Sequence, residues 1–189
     1  MCVAQGKWVL TKDEDGIKVY TRLLNTGKFK EVKAVFELYA TESQLVGVLQ
    51  DITRHKDWSY GTKSTYLISK RGKDTVIYYS EISLPWPLCN RDLVIELSFK
   101  KDTVNNVLHI RAKSIPGIVP VKSGLVRVPS SLASWDVTPM SNHLLKIEYI
   151  LSADPGGALP AWLVNLGASV GPYNSFTKLK DIIQKQNLN

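Results

Sequence analysis

The chain has 189 residues, 44% of them hydrophobic and 22% charged, with a formal net charge of +7 and a pI near 9.3. That length suits one domain, read here as residues 1–189, and that composition excludes disordered, collagen-like and low-complexity classes. No apolar run reaches the roughly 20 residues a membrane-spanning helix needs, and Cys2 and Cys89 are too few for a disulfide framework.

In chain order, residues 8–10 and 17–23 read as strands around the turn Asp13-Glu14-Asp15-Gly16. Residues 29–40 alternate, with Val32, Ala34, Phe36 and Leu38 on one face. Thr41 reads as a helix N-cap, and Leu45, Val46, Leu49 and Ile52 follow at helical spacing. That helix is expected to end near Arg54, with Trp58 in an irregular segment. Strands are expected over 62–70, 74–84, 91–101, 105–115, 123–138 and 143–153, joined by short turns as in an antiparallel meander. Leu93, Ile95, Leu97 and Phe99 share a dry face, opposite Val94, Glu96, Ser98 and Lys100. From Pro160 onward apolar residues recur at helical spacing to Ile183, with a kink expected at Gly171-Pro172. The fold class is therefore α+β: a one-faced curved antiparallel sheet, short helices after the third strand, and a long C-terminal helix covering the dry face.

Two stretches go beyond pattern: Pro85-Trp86-Pro87-Leu88-Cys89-Asn90-Arg91-Asp92, and Asp154-Pro155-Gly156-Gly157-Ala158-Leu159-Pro160-Ala161-Trp162-Leu163-Val164-Asn165. Together they resemble the START (steroidogenic acute regulatory protein-related lipid transfer) family, which belongs to the Bet v 1-like superfamily. The first resembles the family's Pro-x-Pro-x-x-Asn-Arg-Asp segment and the second its entry to the C-terminal helix. Trp58 sits where members place a Trp after the first internal helix. The resemblance implies a helix-grip fold with a tunnel that holds one lipid, gated by the loop at 115–121. That loop, Ile115-Pro116-Gly117-Ile118-Val119-Pro120-Val121, is unusually apolar for a connection between strands.

The expected ligand contacts follow from the apolar faces and the resemblance together. Ile95, Leu97, Ile110, Ile147 and Tyr149 line the sheet. Trp58 comes from the irregular segment, Ile118 from the gate, and Trp162 and Leu166 from the C-terminal helix. Tyr79 and Glu81 complete the set, Glu81 standing where several members turn an acid into the cavity. Leu97 stands where sterol-binding members carry an Arg, which disfavours a sterol-type buried ion pair. Arg91 and Asp92 read as structural, locking the strand start by local hydrogen bonds. Gly117, Gly156 and Gly157 read as hinges, and proline at both 156 and 157 is expected to slow ligand exchange.

The expected function is non-enzymatic binding, transfer or sensing of a lipid or other hydrophobic small molecule by a soluble monomer. No catalytic residue, metal ligand or cofactor is assigned. The basic surface is dispersed, and each basic group brought near an anionic membrane adds about 1 kcal/mol of attraction. Nucleic acid is not an expected partner, because the strands send most aromatic residues to the dry side. The alternative is a polyketide cyclase or hydratase on the same fold, which needs polar groups converging in the cavity with shifted pKa values. Cys2-Val3-Ala4-Gln5 has the small-residue spacing of a signal-peptide cleavage site, a hint of export.

Overall fold

The computed structural model describes residues 6–23, 27–141 and 143–187. Cys2-Val3-Ala4-Gln5 and the turn residue Asn142 lie outside the described residues.

Strands β1 (Val9–Glu14), β2 (Ile17–Leu23) and β3 (Lys30–Leu38) form an antiparallel unit. Asp15 and Gly16 both take positive φ, 52° and 71°, the geometry that lets a two-residue turn follow the strand twist. Helix α1 (Glu42–Gln50) starts from Thr41, whose hydroxyl accepts from the Gln44 backbone while the Gln44 side chain accepts from the Thr41 N–H. A 3-10 turn (Ile52–Arg54) and α2 (His55–Trp58) follow, so Trp58 is helical where an irregular segment was expected. These helices carry the chain from mid-sheet to the far edge.

There β4 (Thr62–Arg71), β5 (Thr75–Ile82), β6 (Asn90–Asp102) and β7 (Val107–Ser114) run antiparallel. The expected single strand at 123–138 is two. Short β8 (Leu125–Arg127) pairs in parallel with β6, and β9 (Ser130–Ser141) pairs with β7. Pro129 divides them, since it lacks the N–H a continuing ladder needs. Strand β10 (Leu144–Asp154) lies between β9 and β3. The order is β1-β2-β3-β10-β9-β7-β6-β5-β4, so the antiparallel sheet is not a simple meander.

The C-terminal arm has two parts, α3 (Ala161–Gly167) and α4 (Val170–Asn187). The interruption lies at 168–169, ahead of the expected kink. Pro172 falls in the first turn of α4, where its missing N–H leaves no intrahelical bond unmade. Phe176, Leu179 and Ile183 of α4 are buried against the concave face of the sheet, where Phe36 stacks on Phe176 at 4.7 Å. Val32, Ala34, Phe36 and Leu38 all face this core, as their alternation predicts.

The outer face is not uniformly wet. Ile77, Tyr79 and Val94 form a second small core there, packed by Ile68, Ile115 and Val119. Val94 is therefore buried where a solvated face was expected.

Candidate functional site

The concave face is the candidate site. Leu97, Ile110 and Ile147 are buried in its core, and Ile95 and Tyr149 are half-buried against it. Trp58 joins them from α2. Tyr78, absent from the expected contacts, also belongs here. Along β5, Val76 and Tyr78 face inward, while Ile77 and Tyr79 face outward.

That alternation moves Tyr79 and Glu81 out of the expected site. Tyr79 stacks on Tyr66 at 4.8 Å in the outer cluster, under the Lys122 ammonium. Glu81 shares the face of Tyr79 and accepts from Lys63 at 2.8 Å and Asn90 at 3.2 Å. The Lys63 hydrogen bond holds the Glu81 carboxyl below its usual range, so it is an outward ion pair. Both faces of β5 carry large side chains, so period two gave no sign of which was inner.

A chain of ring contacts crosses the concave face. Trp58 meets His55 at 5.1 Å, and His55 meets Tyr78 at 5.1 Å. On the other side Tyr149 meets Trp135 at 5.1 Å and Phe176 at 4.9 Å. The His55 Nε2–H donates to the Leu49 carbonyl at 2.8 Å, and burial pushes the imidazole pKa down, toward the neutral form. Burial pushes the Tyr78 and Tyr149 phenols up, and the neighbouring Tyr78 adds to the effect on Tyr149. His55 is thus an interior group.

The rim carries the charged chemistry. Asp92 is fully buried and takes both hydrogen bonds of a fork from Arg127, at 2.7 and 2.9 Å. This fork holds the Asp92 carboxyl below its usual range. The same guanidinium donates to the Val119 and Pro120 carbonyls at 3.0 and 3.2 Å. Arg91 donates to the Cys89, Pro155 and Gly156 carbonyls. Both residues make hydrogen bonds of the locking kind expected; the Arg91 bond to Cys89 is local, and the others reach across the chain. Arg127 was missed; the one available signal was a lone acid, Asp92, entering an apolar strand and needing a cation.

The 115–121 loop turns Ile115 and Val119 onto the outer cluster and leaves Ile118 46% exposed. Helix α3 buries none of its residues. Trp162 is 64% exposed and Leu166 72%, so neither touches the core of the site. Asn165 fixes α3 by accepting from the Lys30 N–H at 2.8 Å and donating to the Lys28 carbonyl at 3.2 Å. Gly156 and Gly157 have φ of +68° and +67°, a region closed to proline. A Cβ on Gly156 would meet the Arg127 carbonyl oxygen and Pro129 Cδ at 2.9 Å each. The double proline would therefore break this closure, not merely stiffen it.

A START domain profile matches residues 1–188. The chain belongs to the START domain family. The phosphatidylcholine transfer protein of Bos taurus is 31% identical to this START domain over 185 residues, covering 94% of this chain and 83% of that protein. An uncharacterised protein of Pseudomonas aeruginosa is 29% identical over 180 residues, covering 95% of this chain and 88% of its own. The structure of a STAR-related lipid transfer protein fragment from Xanthomonas axonopodis matches this START domain with a TM-score of 0.87 at 28% identity, over 94% of this chain and 98% of that one. The helix-grip arrangement expected from the two motifs is the arrangement found.

Proposed function

We propose that this START domain binds one lipid-like molecule between the concave sheet face and the α3–α4 arm, and carries or senses it without chemical change. The observation that carries the reading is the contrast within that arm. Helix α4 is sealed into the core, whereas α3 buries nothing and is tethered through Asn165. A cover of that kind opens at small cost. Two similar proteins are named for lipid or phosphatidylcholine transfer, which supports the same reading. The ligand's driving force is apolar burial, about 0.8 kcal/mol for each methylene removed from water.

Entry passes under α3 in this proposal. The 115–121 loop serves as a brace for the outer face, because Arg127 ties it to β6. The exposed Trp162 and Leu166 suit transient contact with a membrane, and the basic surplus suits an anionic one. The cyclase alternative has weaker support. The interior polar groups are shifted by burial toward their neutral forms, which makes the phenols poorer proton donors.

Native mass spectrometry of the purified protein, with solvent extraction of what it holds, tests the proposal. A stoichiometric co-purified lipid, and its transfer between vesicles, are the expected results. No bound lipid and no binding across a lipid panel would end the carrier reading.

A further inference from the structure

The floor of the site contains polar atoms that the fold leaves unused. Trp58 is 7% exposed, and its Nε1–H is buried with no hydrogen-bond partner among the described residues. Among the described residues neither the Tyr78 nor the Tyr149 hydroxyl makes a hydrogen bond, and neither is sealed as the Trp58 N–H is. Tyr78 is on β5 and Tyr149 on β10, with three strands between them in the sheet order, yet both pack into the same inner core. Only the curl of the sheet brings such positions together. Leaving a buried donor such as the Trp58 N–H unpaired is costly. Core packing has no need of the hydroxyls, since Phe in place of either Tyr keeps the ring contacts.

The surroundings select what would pair with these groups. Each is neutral: two phenols, one indole N–H and the uncharged His55. Arg91 spends its guanidinium on rim carbonyls, Asp92 is matched by Arg127, and Glu81 faces outward. The floor therefore offers donors without a compensating charge, an environment hostile to a phosphate group.

We propose that Trp58, Tyr78 and Tyr149 form the inner polar end of the lipid site and take the uncharged carbonyl or ester oxygen of a neutral lipid inserted polar end first. This deepens the lipid-carrier reading and rests on it.

The test is a native mass spectrometry competition with methyl oleate, the hydrocarbon (Z)-8-heptadecene and dioleoylphosphatidylcholine, run on the full chain and on the Tyr78→Phe, Tyr149→Phe double variant. The expected result is a preference of roughly tenfold for methyl oleate over the hydrocarbon in the unaltered protein, from about one net hydrogen bond. In the double variant that preference collapses toward unity. Binding of the hydrocarbon is retained, and the melting temperature is unchanged, because neither hydroxyl holds a partner within the fold. A preference that survives in the double variant would overturn the proposal. So would phosphatidylcholine displacing methyl oleate from both proteins alike. If both proteins bind heptadecene and methyl oleate equally, the polar end is refuted while the carrier reading stands. If neither protein binds any lipid, both fall.

Discussion

Arg127 shows how one side chain organises the rim. Its fork closes on Asp92 of β6, and its remaining N–H groups hold the Val119 and Pro120 carbonyls of the neighbouring loop. Removing it leaves a buried carboxylate without a partner, the costly way to break an ion pair. Arg127→Met is expected to lower unfolding free energy by about 3 kcal/mol at neutral pH, measured by urea denaturation. The sign of the pH dependence follows from the depressed Asp92 pKa. The pair's stabilisation is fully present above the unfolded-state value near 3.8 and is lost as pH falls through the lower folded value. The gap between variant and parent is therefore expected to shrink below about pH 4. At this scale the sequence was least informative. It marked Asp92 as structural from its motif but held no sign that the partner sits at 127. The partner is set by the parallel pairing of β8 with β6, a long-range contact.

Among the elements, alternation and helical spacing located nearly every strand and helix, because each buries one face and is solvated on the other. They failed where both faces are covered. Strand β5 has a core on either side, so Tyr78 and Tyr79 were exchanged between inside and outside. They also failed where one proline divides a run, as between β8 and β9. The entry to α3 gives the test at this scale. Gly156→Ala places a Cβ against the Arg127 carbonyl and Pro129, in a left-handed conformation that itself costs roughly 1–2 kcal/mol. The expected outcome is a lower melting temperature together with faster lipid release in a vesicle transfer assay. Slower release at equal stability would contradict a closure packed at Gly156.

For the whole molecule, shape and charge act together. The fold class and the curved sheet were legible because a long one-faced sheet requires a cover and the C-terminal periodicity supplied one. The charged rim and the polar floor were not, since both are assembled from strands distant in sequence. Trp162 and Leu166 project from the arm of a protein carrying +7. Co-sedimentation with anionic vesicles is expected to weaken as salt rises. A Trp162→Ala, Leu166→Ala double change is expected to weaken it at least tenfold, from the apolar burial lost, with little change in melting temperature. Equal binding to neutral vesicles, or a large drop in stability, would count against α3 as the contact. The β3–β10 pairing also sets a timetable. Strand β3 ends at Leu38, while the strand that pairs along its inner edge begins only at Leu144. During synthesis the N-terminal three-stranded unit leaves the ribosome with an open apolar edge and waits for most of the chain to follow. The nascent protein is thus most vulnerable to mispairing early, before β10 has been made.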